Sequence, residues 1–272
     1  MAGRLGLIAG GGGLPGAIAA DCLSRGREVF IVRLKGLAEP ELAAFPNAEA
    51  GLAELGKCLN ALRSAGCGDV CFAGVVRRPD DFSALKPDLS ALRYMPGVIT
   101  AAGRGDDALL RAILRVFERE GLVVEGVGEA GAGLRLGEGA AGRVVPAPED
   151  RADVTTAVAG AREVGRTDIA QGAVARSGQI IAREGRGGTD AMLAGVEPAP
   201  EGPRGVLAKL PKPGQDRRVD LPTIGIRTIE RAAAAGLRGV VGEADGLLVV
   251  DREAVIAAAD RLGLFVLGLE AS

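Results

Sequence analysis

Between Ala208 and Gly225 the chain reads AKLPKPGQDRRVDLPTIG. Two lysines, two arginines and two aspartates share that stretch with three prolines. Carboxylates and ammonium groups concentrated on a stiff backbone can serve as acid–base groups, hard-metal ligands or anion receptors. The chain contains no histidine. His-based triads, HExxH zinc sites and histidine general bases are therefore excluded, and any acid–base or metal chemistry falls to Asp, Glu, Lys or Cys. A surface loop with its charges in solvent is the plain alternative for the same residues.

A second candidate lies near the start. GLIAGGGGLPG carries the spacing G-x-G-x-x-G at Gly11, Gly13 and Gly16, after an apolar strand pattern and at the opening of a helical one. Exposed backbone N–H groups and the positive helix end would cradle a phosphate there, with Gly10, Gly11, Gly12 and Gly13 as the contact backbone. A tight strand-to-helix turn without a ligand is the competing reading. An NAD site asks for an acid at the end of the second strand, but this chain has Arg33 and Lys35 in IVRLKG. NADP, met by the arginine, stays open as an alternative. No P-loop Lys-Ser/Thr is present. A third stretch, AGVVRRPDD, puts Gly74, Arg77 and Arg78 after the third strand, where loops at the carboxyl ends of parallel strands converge on ligands. Asp106 and Asp107 read most simply as helix N-terminal acids favoured by the dipole.

The elements that must position these residues alternate. Strands are expected at 4–9, 28–34, 69–76, 122–127, 204–210 and 264–270. Residues 168–184 read as a hairpin turning at Ser177-Gly178, and 239–251 as a strand pair around a turn. Helices are expected at 14–24, 52–66, 104–121, 152–165, 188–196, 228–236 and 252–263. Alternating strands and helices imply a parallel sheet covered on both faces. The expected fold is α/β: a Rossmann-like domain at 1–130, a Gly/Ala/Pro-rich linker at 131–150 and a mixed α/β domain at 151–272.

Composition bounds the rest. The 272 residues carry a net charge of −2, and one Tyr, six Phe and no Trp leave few stacking platforms, so nucleic acid is not an expected partner. Cys22, Cys58, Cys67 and Cys71 lack a second closely spaced pair and read as reduced, buried thiols of a cytosolic protein. No stretch reaches the ~18 uncharged apolar residues of a membrane span, and four consecutive glycines with Pro15 interrupt the apolar N-terminus.

The fragments GLIAGGGGLP, CFAGVVRRPD, RGDDALLRA, DIAQGAV, GTDAML, GVLAKLPKPGQDRRVDLPTIG and TIERAAAAGLRGVVGEADGLLVVDRE, taken in order, resemble the metal-dependent UDP-2,3-diacylglucosamine pyrophosphatases of bacterial lipid A biosynthesis. The resemblance covers nearly the whole chain. It implies two α/β domains with substrate held between them, and hydrolysis of the pyrophosphate, dependent on Mg²⁺ or Mn²⁺, to UMP and 2,3-diacylglucosamine 1-phosphate (lipid X). Asp220, in DLPTIG, matches the essential acid, and Asp216 and Asp190 are the further acids that the motifs place as metal ligands. Gln171, Thr189, Asp190, Lys209, Lys212 and Thr223 are the expected substrate-binding residues in these fragments, with Lys209 and Lys212 flanking the acids where they would neutralise phosphate charge. Prolines 211, 213 and 222 stiffen the loop so that ligands sit pre-arranged. Two departures stand out: Gly187 replaces the usual acid of Glu-Gly-Thr-Asp, and Ala170 replaces a glycine. Glu184 lies close enough in sequence to ask whether it compensates.

A lipidic substrate without a membrane span implies a cytoplasmic protein with at most peripheral contact at the inner membrane. Leu14 and residues 82–99 are candidate surfaces for the acyl chains. A homodimer is compatible with the sequence. A non-catalytic nucleotide-sugar or lipid-binding protein is the other class that fits.

Overall fold

The computed structural model describes residues 3–76, 88, 93–166, 170–213, 216–218 and 220–271. The chain divides into two units: residues 1–132 with 216–219, and residues 133–215 with 220–272.

The first unit is built on a five-stranded parallel sheet. In chain order it runs β1 (Leu5–Ala9), α1 (Leu14–Ser24), β2 (Val29–Leu34), β3 (Asn47–Ala50), α2 (Leu55–Ser64), β4 (Asp69–Ala73), α3 (Met95–Ala102), α4 (Asp106–Arg119), β5 (Val123–Val124) and α5 (Val127–Ala130). The strand order is β3-β2-β1-β4-β5, with Leu5 level with Val29 on one side and Asp69 on the other. All five residues of β1 are buried, as a central parallel strand covered on both faces requires. The α4 pattern behaves as its spacing dictates: Leu114 and Phe117 are fully buried, Phe117 sets its ring edge-on to Phe72 with centroids 5.0 Å apart, and Gly121 at φ +86° ends the helix.

The second unit has a mixed six-stranded sheet. Its elements are β6 (Gly139–Ala140), α6 (Asp150–Arg166), β7 (Gly172–Arg176), β8 (Gln179–Arg183), α7 (Gly188–Ala194), β9 (Val206–Lys209), β10 (Thr223–Ile224), α8 (Ile226–Ala234), β11 (Gly239–Glu243), β12 (Leu248–Val249), α9 (Arg252–Leu262) and β13 (Phe265–Leu269). The order is β6-β13-β11-β9-β7-β8. The three central strands β13, β11 and β9 are parallel, and the edges are antiparallel. Alternate strand residues feed opposite cores. Val174, Leu207, Val240 and Val266 meet α7, α8 and α9. Ala173, Ala208, Val241 and Phe265 meet Ala157 and Ala161 of α6. The Phe265 ring fills the space that Gly239 leaves, where a Cβ would lie 2.2 Å from a ring carbon.

The hairpin turns where the sequence places it, with Ser177 and Gly178 both at positive φ (52° and 71°). Asp153 of α6 accepts the Gly178 N–H at 2.7 Å and Asp150 accepts that of Ala147 at 2.8 Å. Three expectations change. Only Val123 and Val124 of the 122–127 stretch are strand, because Gly126 turns the chain into α5. Residues 239–251 form two strands that do not pair with each other: β12 pairs with β10 in a separate two-stranded sheet. Residues 131–150, expected as a linker, hold Leu136, fully buried in the second unit's core, and β6, which pairs with β13. β3 (NAEA) has no expected counterpart, since it lacks the β-branched, apolar signature of a strand.

Candidate active site

In the second unit the functional side chains gather at the carboxyl end of β9. The register sets Gly172 opposite Lys209, so the start of β7 and the end of β8 arrive at the same place as the end of β9. Lys209 is 7% exposed and its Nζ donates to the Thr223 carbonyl at 3.0 Å. Burial pushes its pKa down, while the charges of Glu184, Asp190 and Asp220 push it up. One cation is thus held in an acidic, desolvated surround.

Glu184, just past β8, is 9% exposed. One carboxylate oxygen accepts the Thr189 hydroxyl at 2.6 Å and the other accepts the Gln171 backbone N–H at 2.9 Å. It therefore positions two residues singled out from sequence, and an acid three positions before Gly187 reaches Thr189 of the GTD segment. An acid closing a strand of otherwise apolar alternation, QIIARE, is the sequence signal for it. Removing it leaves a part-buried N–H and a hydroxyl without their acceptor. Glu184→Ala is expected to lower stability by about 1 kcal/mol for the N–H alone, while Glu184→Gln, which keeps an acceptor, loses less. Thermal denaturation of both variants checks this.

Asp190, in the first turn of α7, is held by Arg227 and by Arg231, whose Nε lies 3.3 Å from Oδ1. Gln171 Oε1 is buried without a hydrogen-bond partner among the described residues. Asp220 and Thr223 sit half-buried on the returning arm of the charged loop. Lys212 is half-buried on the outgoing arm, where the chain passes over Gly165 of α6.

Asp216 belongs to the first unit. Arg218 grips its two oxygens at 2.9 and 2.8 Å and reaches Glu118 at 2.9 Å. That hydrogen bonding holds the Asp216 carboxyl below its usual range. Of the three aspartates assigned to metal from sequence, Asp190 and Asp216 thus carry arginine partners in this structure. Among the described residues no three His, Cys, Asp or Glu side chains converge as a metal site.

Also in the first unit, the glycine turn closes β1 onto the end of β4. Gly10 N–H donates to Ala73 O at 2.8 Å, and Gly11 and Val75 exchange bonds of 3.0 and 2.8 Å. Gly74, at φ +93°, passes so near that a Cβ would lie 2.7 Å from Gly11 O. Gly12, at φ +86°, presents its N–H to Glu39 Oε1 at 2.9 Å. The turn therefore binds an anionic oxygen, supplied here by a side chain that the sequence reading did not single out. Gly13 caps α1, which begins at Leu14. Arg77, Arg78 and residues 82–87 lie outside the described residues, as does Asp168 of DIAQ. The four cysteines are buried and free; burial pushes the Cys58 thiol up to about 12 and raises the other three.

Comparison with known proteins follows the same division. The model of the LpxI N-terminal domain matches residues 4–133 and that of the LpxI C-terminal domain matches residues 137–267. The UDP-2,3-diacylglucosamine pyrophosphatase LpxI of Caulobacter vibrioides is 55% identical over 274 residues, covering 98% of each chain. Two solved structures are more distant in sequence. CobK precorrin-6A reductase is 16% identical with a TM-score of 0.34, covering 99% of this chain and 88% of that one. The UDP-glucose 4-epimerase of Thermus thermophilus, in complex with NAD, is 15% identical with a TM-score of 0.31, covering 98% and 86%. With both domain models matched in order along nearly its whole length, the chain belongs to the LpxI family.

Proposed function

We propose that this chain hydrolyses the pyrophosphate of UDP-2,3-diacylglucosamine, releasing UMP and 2,3-diacylglucosamine 1-phosphate (lipid X), in lipid A biosynthesis. The observation that carries the reading is the 55% identity to the Caulobacter enzyme over 98% of both chains. The site chemistry agrees with it. A pyrophosphate ester asks for charge neutralisation, a placed water and an in-line path. Lys209, desolvated at the end of β9, supplies a cation whose attraction for phosphate is little screened. Gln171 Oε1 has an acceptor site open to a substrate N–H or O–H, and Thr189 is held by Glu184 for the same ligand. The Gly12 N–H, which accommodates a carboxylate oxygen, can exchange Glu39 for a phosphate or ribose oxygen.

We also propose dependence on Mg²⁺ or Mn²⁺. The donor set fits a hard cation: it offers oxygen and neither imidazole nor exposed thiolate. Magnesium needs only one or two carboxylates and completes its shell with water and phosphate oxygens. Asp220, the aspartate of the DLPTIG segment and within electrostatic reach of Lys209, would hold it. Bound there, the ion would offset anhydride charge and make a water more acidic. Asp220 is the catalytic acid of this account. The enzyme would work in the cytoplasm.

The test is UMP release from UDP-2,3-diacylglucosamine with Mg²⁺ and again in excess EDTA. Turnover with the metal and none with chelator is expected. Full turnover in EDTA would remove the metal from the account. Binding of the substrate with no UMP under any metal would leave a non-catalytic lipid-binding protein.

A further inference from the structure

A cavity of about 750 Å³ lies within the first unit, between α3 and α4. Its lining has two chemistries. Pro96, Val98, Ala101, Ala108, Ala112 and Val116 make an apolar floor. Arg93, Arg104, Arg111, Arg115 and Arg119 stand around it, all exposed. Three of them, 111, 115 and 119, repeat every four residues along α4 and so share one face. No carboxylate of the described residues lines the cavity. The chain as a whole carries −2, so five cations at one groove are a local reversal of its charge. Glu120 pairs with Arg93 and the charge of Arg111 reaches Asp216. For Arg104, Arg115 and Arg119, their place at the groove is the main feature.

The helix facing this ladder has the opposite character. MPGVITAA, residues 95–102, contains no charged side chain, yet Pro96, Gly97, Ile99 and Thr100 are exposed, with Ile99 at 56%. An uncharged helix with an exposed aliphatic side chain, set beside an arginine ladder, combines the two attractions that hold a protein on an anionic bilayer: apolar insertion at the headgroup boundary and attraction to lipid phosphate. Among the described residues no helix is long and apolar enough to cross a membrane. Nucleic acid would be served by the arginines alone, and an acidic peptide would leave Ile99 without a use.

We infer that the α3–α4 groove is a docking surface for an anionic phospholipid bilayer, with Arg104, Arg115 and Arg119 meeting headgroup phosphates and Ile99 entering the acyl boundary. The inference rests on the proposed reading that the substrate is acylated and therefore resides in a membrane. It adds which face of the protein turns toward it.

The experiment is sedimentation of the full chain with vesicles, without substrate. Phosphatidylcholine vesicles containing phosphatidylglycerol are compared with pure phosphatidylcholine, and UMP release is measured separately from substrate in detergent micelles. The wild type is expected to bind the anionic vesicles only, and less as salt rises. The triple variant Arg104→Gln, Arg115→Gln, Arg119→Gln is expected to bind them about a hundredfold more weakly, with unchanged melting temperature and unchanged hydrolysis in micelles. Ile99→Ser, which removes the apolar side chain without adding charge, is expected to weaken vesicle binding by a separate route, without a change in salt dependence. Equal binding to neutral vesicles, no binding to anionic ones, or full binding by the triple variant would overturn the inference. So would arginine-dependent capture of duplex DNA or of a poly-glutamate peptide by a chain that ignores vesicles. Because vesicle binding is read without turnover, a failed hydrolysis assay leaves it intact, and the reverse holds.

Discussion

Asp220→Ala is expected to fold, to bind UDP-2,3-diacylglucosamine, and to hydrolyse it at least about a hundredfold more slowly than the wild type. Asp220 begins the arm of the loop that returns into the second unit as β10, and Pro222 two residues on biases Leu221 toward extended backbone. Its carboxylate acts electrostatically on buried Lys209, the cation proposed to receive phosphate charge. A carboxylate in that role acts on the water or the metal and contributes little to ground-state binding. The loss should therefore appear in kcat, with KM changed severalfold at most. Asp216→Ala is the control from the same loop. Its carboxylate is committed to Arg218 within the first unit, so its removal should affect the local ion-pair network and leave kcat within about tenfold of wild type. If Asp216→Ala is the more damaging of the two, the wrong aspartate has been assigned; if neither matters, the loop is not the active site.

Lys209→Met is the second large effect. Methionine matches the aliphatic stem and removes only the ammonium, and with it the bond to the Thr223 carbonyl. In a desolvated site a cation aimed at developing phosphate charge contributes as an oxyanion-hole donor does, so kcat/KM should fall about 10²–10³-fold. Lys209→Arg should not restore it. The guanidinium is wider and planar, and at a strand end only 7% exposed it cannot place its charge where the compact ammonium sits. The two variants are read by steady-state kinetics together with circular dichroism. Near-normal kcat/KM in folded Lys209→Met would mean that this lysine holds β9 to the loop and does no more.

The parallel sheet of the first unit was legible because β1, β2 and β4 are near-continuous apolar runs bounded by glycine, and α4 because its apolar stripe repeats at helical spacing. What escaped were elements whose stability comes from neighbours. β3, as NAEA, is strand because β2 offers it a ladder. β12, two residues long, pairs across the chain with β10, which no local pattern signals. The site was legible in its residue types more than in its partners. The loop, Lys209, Asp220, Gln171 and Thr189 could be picked out from sequence. Glu184 as the buried anchor of the last two, Glu39 at the glycine turn and the arginines on Asp190 and Asp216 could not, since each pairing spans a fold that spacing alone does not encode.

The most direct measurement is ³¹P NMR of UDP-2,3-diacylglucosamine incubated with the protein and Mg²⁺. The account predicts loss of both diphosphate resonances and the appearance of UMP and a sugar 1-phosphate in equal amounts. Release of intact UDP, or diphosphate signals that persist unchanged with folded protein present, would contradict it.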